Sequence, residues 1–361
     1  VENPSYAFST AGGLRIVRIE LNEASTICQF EYSEFPGASF SIPDQTYIKP
    51  TGSETKLFVT KAENVALNQW ASVPASGKAQ YTLHFPAVDP ACKSLEFGEG
   101  NEGGSWFIYE IELEKKPYKG AIAQELSGYW YKTDGSKELV VALYDTVALY
   151  QSQLWKYGKV ETTASKTTIE LTNANGKQTV MISPVDAETI TLGTSKQNQS
   201  KLSKTLQTVQ GYSNPNDKPY TAPVFVSNGE ATYKGYIRNF NPKYISQKSG
   251  QIYVNNVIIG KQDTYNVKIA DDGTFSVSFP MSYPSDIYVR MPFTNEVIFV
   301  EPGKETFHII DNNSRENHLF MGDLAVVNNG FMAVKNIRNF DYKKAQDTIL
   351  SFTLNQYLDY C

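Results

Sequence analysis

Histidine and cysteine, which carry much of nucleophilic, redox and metal chemistry, are scarce here, with three of each in 361 residues. Cys28, Cys92 and Cys361 form no C-x-x-C and are too few for a disulfide framework. His84, His308 and His318 show no metal-ligand or dyad spacing along the chain. G-x-S-x-G, H-E-x-x-H and the P-loop are missing, so hydrolysis and phosphoryl transfer have no visible nucleophile, base or cradle. No apolar run reaches the roughly 18 to 20 residues that a membrane-spanning helix needs. The opening "VENPSYAFSTAGG" lacks the regions of a signal peptide, so export predicts a signal already removed. A basic block is missing too: 33 Lys and Arg stand dispersed against 38 Asp and Glu, which excludes nucleic acid as a partner and an electrostatic coat on an anionic membrane.

What is abundant is aromatic and β-branched. The 23 Tyr and 19 Phe, with many Thr, Val and Ile, suit pleated, half-buried surfaces, and the length predicts several compact units. The fold class expected is mainly β: three consecutive β-rich domains followed by a helical segment.

Residues 1–116 read as an Ig-like β-sandwich of short strands. In "AQYTLHF" Tyr81, Leu83 and Phe85 share one face, with Thr82 and His84 on the other. In "TICQFEY" Cys28 shares a face with Phe30 and Tyr32, which predicts a buried, inert thiol. Cys92, in "VDPACKS", is a possible partner for it that spacing alone leaves open. "EKKPYKGAI", 114–122, is a linker.

Residues 127–195 read as an antiparallel meander, with Asn175-Gly176 predicting a type I′ hairpin turn. Residues 196–221 read as a second linker, within which Leu202, Leu206 and Val209 at i, i+4, i+7 suggest one brief helix. Residues 222–311 return to strands, a β-sandwich-like domain with tight turns at Asp271-Asp272-Gly273 and Glu301-Pro302-Gly303-Lys304. In residues 312–361 the period becomes helical. Leu324, Val327 and Phe331 mark one helix behind a polar "DNNSREN" that could cap it; Leu350, Leu354, Tyr357 and Cys361 mark a second. No stop residue closes the second helix, which predicts that it continues beyond Cys361 and that this thiol packs on the apolar stripe.

Candidate chemistry is sparse. "GEGNEG", Gly98 to Gly103, matches the dinucleotide pattern G-x-G-x-x-G, but the alternating "SWFIYEIEL" behind it predicts a strand where that motif needs a helix N-terminus. Glu99 and Glu102 would also repel phosphate, so a solvated loop is expected. A Ca²⁺ site from Glu96, Glu99 and Glu102 lacks any aspartate-repeat spacing. His84 and His308 read as sheet residues and His318 as a helix cap. Trp70, Trp106, Trp130 and Trp155 could stack on sugars or peptides or pack in sheets; the candidates for ligand stacking are Tyr129, Trp130 and Trp155. No catalytic residue, cofactor site or metal site is expected.

The order of blocks resembles a known family. "P-x-S-G" at Pro74–Gly77, "L-x-F-P" at Leu83–Pro86 and "L-E-F-x-E-G" at Leu95–Gly100 resemble the N-terminal β-domain of cell-envelope thioredoxin-like proteins of the TlpA/ResA type from anaerobic gut bacteria. "DDGTFSVSFPMSYPSDIYVRMPFTNEVIFVEPGKETFHIID" and "FMGDLAVVNNGF" look like the region before their thioredoxin domain and the helical start that follows. The resemblance implies export to the periplasm or outer envelope, often as a lipoprotein. It also implies redox work in a C-terminal thioredoxin domain bearing C-x-x-C, a motif this sequence does not contain, so no catalytic residue carries over. The expected function is a non-catalytic recognition and scaffold segment of such a thiol-disulfide protein, with an unidentified protein or glycan partner. The alternative is a cell-surface carbohydrate-binding protein.

Overall fold

In the computed structural model the described residues are 1–100, 106–114, 117–195, 197–212, 225–311, 318–335 and 352–360. The chain is mainly β and forms two sandwiches with a closed barrel between them in sequence. The "GEGNEG" positions Asn101–Gly103 lie outside the described residues, as do "NNSREN", Leu350 and Cys361.

The first sandwich pairs a five-stranded sheet, centred on Ser94–Gly98 and Phe107–Glu112, with a four-stranded sheet centred on Ser25–Ser33 and Lys78–Pro86. Alternation drives it: Tyr81, Leu83 and Phe85 are buried, and Tyr81 stacks on Phe30 with ring centroids 5.2 Å apart. His84 faces outward and meets Glu63 Oε1 at 3.0 Å across the sheet. Gly98 ends a strand, and the next element among the described residues is another strand beginning at Phe107, where the dinucleotide motif would need a helix. Cys28 and Cys92 are both free thiols. Cys28 is 1 % exposed and burial pushes its pKa up to about 12, whereas Cys92 Sγ donates to Ser94 O. A thiol reagent such as DTNB should therefore leave Cys28 unmodified in native protein and label it only on unfolding; stoichiometric native labelling of Cys28 would contradict this burial.

Residues 128–203 form an eight-stranded up-and-down barrel. Its last strand, Gln199–Ser203, falls in the stretch expected to be linker and helix. Leu202 is buried inside while Leu206 and Val209 are 56 % and 43 % exposed, so the i, i+4, i+7 pattern makes no helix. The strand wins because it pairs with both Thr189–Gly193 and Gly128–Lys132, which removes the two open edges of the meander. The Asn175-Gly176 hairpin forms, but shifted: Asn173 pairs with Gly176, leaving Ala174 and Asn175 at the turn centre. Only Gly176 of these has positive φ, so the turn is not the type I′ expected, and Asn173 Oδ1 instead accepts the Asn175 N–H at 2.8 Å.

The second sandwich stacks the sheet Thr274–Pro280, Glu230–Arg238, Glu305–Asp311, His318–Met321 on the sheet Lys261–Lys268, Ser249–Asn256, Ser285–Met291, Thr294–Val300. Glu230–Arg238 and Glu305–Asp311 run parallel, and both expected tight turns have their glycine, Gly273 and Gly303, at positive φ. His318–Met321, expected as the approach to a helix, is a strand paired with Glu305–Asp311. The helix comes later, Ala325–Lys335, and Val327 and Phe331 are exposed on it. Leu324, the first of the three marked residues, is buried as expected, and beside it the helix is held by Ala325 and by Asn328, whose buried amide accepts the Phe299 N–H at 2.8 Å and donates to Phe299 O at 2.9 Å. Asn328→Ala should cost about 2 kcal/mol by orphaning these groups, read as a lower urea midpoint with faster exchange of the Phe299 amide. Of the second helix, Leu354–Tyr360 is described, with Leu354 72 % exposed rather than packed.

Candidate functional site

The outer face of one sheet of the second sandwich gathers the binding chemistry. Alternation in "GQIYVNN" and "SDIYVRM" buries Ile252, Val254, Ile287 and Val289 and turns Gln251, Tyr253, Tyr288 and Arg290 outward. Antiparallel register sets Tyr253 opposite Tyr288 and Gln251 opposite Arg290, and Asn295 continues the second row. The two tyrosine rings lie 5.9 Å apart at 34°, and Tyr288 is 43 % exposed. Tyr253 Oη donates to Gln251 Oε1 at 2.8 Å, which fixes one ring. Among the described residues Arg290 has no carboxylate within ion-pair distance. Tyr253, Tyr288, Arg290 and Asn295, with Gln262, line an open depression of about 480 Å³. Planar rings beside an unpaired guanidinium and carboxamides can stack on one ligand face and donate to its oxygens.

Two junctions hold that sandwich to the rest of the chain. Leu139, Ala142, Tyr144 and Leu149 on the outside of the barrel share an apolar cluster with Tyr236, Phe307, Ile309 and Met321. Beside it Arg238 Nη1 meets Asp311 Oδ2 at 2.7 Å, the Asp311 side chain being 1 % exposed, and the guanidinium lies 4.7 Å over the Tyr144 ring. Tyr129 Oη donates to Asp311 Oδ2 at 3.4 Å and accepts from Tyr144 Oη at 3.3 Å. Burial pushes the Tyr129 and Tyr144 hydroxyls up, so both remain neutral donors. At the second junction a bulge opposite Glu96 puts Glu110 at φ 52°, turning its carboxylate to Lys243 Nζ and Tyr244 Oη, each 2.5 Å away. Tyr109 stacks on Tyr244 with centroids 4.3 Å apart.

The stacking candidates fall elsewhere. Trp130 and Trp155 are buried in the barrel, 1 % and 6 % exposed, with their indole N–H groups given to Leu126 O and Tyr150 O at 2.8 Å, so neither ring offers a face to a ligand. Tyr129 belongs to the Arg238–Asp311 junction. His308 and His318, ten residues apart, are brought together by strand pairing: Tyr233 Oη lies 2.8 Å from His308 Nδ1, and His308 Nε2 lies 3.0 Å from His318 Nδ1. All three are buried, so His318 packs in a sheet and caps nothing. Tyr253, Tyr288 and Arg290 were legible only as aromatic and basic residues on the polar side of two alternating strands.

No protein-family model matches the chain, and no curated protein matches it. Among solved structures it is similar to the Bacillus anthracis TIE protein at 13% identity and a TM-score of 0.16. That alignment covers 82% of this chain and 57% of the other, so the chain spans little more than half of that protein. At that score the likeness carries no argument. Among the described residues no helix is long and apolar enough to cross a membrane.

Proposed function

We propose that this chain is the recognition and scaffold part of an exported, thioredoxin-like protein of the periplasm or outer envelope, with thiol-disulfide chemistry residing in another domain. The observation that carries the recognition role is the Tyr253–Tyr288–Arg290 face, an aromatic and cationic surface open to solvent on a rigid sheet. The buried, raised-pKa Cys28 thiol argues against exchange through that residue. An insulin-reduction assay on this chain should show no turnover, and turnover that survives Cys361→Ser would overturn the reading.

The same face favours a second reading, carbohydrate binding, because exposed tyrosine rings side by side with amide and guanidinium donors suit sugar rings and their hydroxyls. Titration with a glycan panel should find a ligand whose affinity falls about tenfold or more in Tyr288→Ala, the loss of one stacking ring and about 1.4 kcal/mol. Equal binding by wild type and a Tyr253→Ala/Tyr288→Ala double variant would exclude this face as the sugar site.

A further inference from the structure

Around Tyr253 and Tyr288 three amide oxygens of the outer face are engaged with neighbouring side chains, and donors are left over. Gln251 Oε1 accepts Tyr253 Oη at 2.8 Å, Asn266 Oδ1 accepts the Gln251 carboxamide at 3.4 Å, and Asn255 Oδ1 accepts the Gln262 carboxamide at 2.9 Å. Each carboxamide that donates here keeps a second N–H. Beside them stand two cations. Arg290 lies opposite Gln251 and Gln251 opposite Asn266, so the three form one row across the sheet. Lys268 is two residues beyond Asn266 on the same side of its strand, and it is exposed like Arg290. Among the described residues neither has a carboxylate at ion-pair distance.

The carboxylates of this sheet lie elsewhere. Asp263 alternates onto the core side of its strand with Tyr265 and Val267, and Glu296 onto that of Ile298. Asp286 shares the outer face but stands four residues from Arg290, about 13 Å at the rise of a β-strand, with Tyr288 between them. Past the other end, Lys248 and Asp271 neutralise each other at 2.7 Å. The face is therefore polar along its length, with both cations at the Gln251 end and one carboxylate at the far end. Sugar hydroxyls donate as well as accept, so a neutral ring placed at the Gln251 end turns hydroxyl protons toward N–H groups and engaged oxygens. A carboxylate only accepts, and it matches a guanidinium with two parallel hydrogen bonds.

Taking the carbohydrate reading of this face as given, we infer that its ligand is an acidic glycan built from uronic acids, with a sugar ring laid on Tyr288 and its carboxylate on Arg290. Lys268 adds to the attraction from the neighbouring row, and Asp286 sets the direction by repelling an acidic unit placed at its own end.

The test is isothermal titration calorimetry of the whole chain with oligomers of galacturonic acid and of glucuronic acid, against the methyl esters of the same oligomers and their neutral galactose and glucose counterparts. Wild type should bind one of the acids about tenfold more tightly, or better, than its ester and its neutral counterpart, and less tightly as salt is raised. Arg290→Gln should remove that preference, Lys268→Gln should weaken acid binding by a smaller factor, and Tyr288→Ala should weaken acid and neutral binding alike. All three side chains are exposed, so the variants should keep the wild-type melting profile, which separates lost recognition from misfolding. Equal binding of acid and ester, or a preference unchanged in Arg290→Gln, overturns the inference and leaves carbohydrate binding standing wherever Tyr288→Ala still weakens it. Absence of binding to both acids overturns it too: a neutral oligomer lost in Tyr288→Ala then marks a neutral-sugar face, and with no carbohydrate bound at all both readings fall.

Discussion

Arg238→Ala should lower stability by about 3 to 5 kcal/mol, the cost of removing the guanidinium that meets a buried carboxylate at 2.7 Å. Asp311 cannot relax into water, because its side chain is 1 % exposed between the barrel and the second sandwich. Tyr129 donates to the same Oδ2 atom that Arg238 contacts, so the hydroxyl adds a hydrogen bond but no neutralising charge. Burial works against the Arg238 charge, yet the Asp311 carboxylate raises its pKa, so the guanidinium stays protonated. Urea denaturation checks the prediction, with Arg238→Met/Asp311→Leu as the second arm. Replacing both partners by apolar side chains should recover most of the loss, since the desolvation cost disappears with the charges. A double variant as unstable as the single would mean that the stacking of Arg238 on Tyr144, rather than the charge balance, holds the junction.

Trp130→Ala should lose about 3 to 5 kcal/mol as well, by a different route. The indole is 1 % exposed inside a barrel closed by eight paired strands, and a closed sheet has little freedom to collapse onto a cavity. Its N–H also ties Leu126, in the short helical turn Gln124–Leu126, to the first barrel strand. Trp70→Ala is the control: that ring is 78 % exposed, and its loss should change stability by no more than about 0.5 kcal/mol. Near-ultraviolet circular dichroism with urea melts distinguishes the two, and a Trp130→Ala protein as stable as Trp70→Ala would refute a packing role for Trp130.

Period and turn chemistry along the chain determined the mainly β class, the three β-rich blocks, the inward faces of strands such as Lys78–Pro86, and the burial of Cys28. They did so because alternation over five or more residues leaves one way to bury an apolar row. The same local signals failed where two readings were equally local. Leu202 fits a helical spacing and a strand equally well, and only pairing with strands some 10 and 70 residues earlier decided for the strand. Val327 and Phe331 fit a helix face, but the partner of that helix was the Phe299 backbone, and a polar Asn328 reached it.

Function divides along the same line. The sequence by itself determined which chemistry the chain has little of. Only the tertiary structure decided that Tyr253 stands opposite Tyr288, that His308 touches His318, and that Trp130 and Trp155 are core. The physical reason is that a side chain's role depends on what stands across the sheet from it. Strand register and barrel closure are set by the whole packed chain, through contacts between residues far apart in sequence.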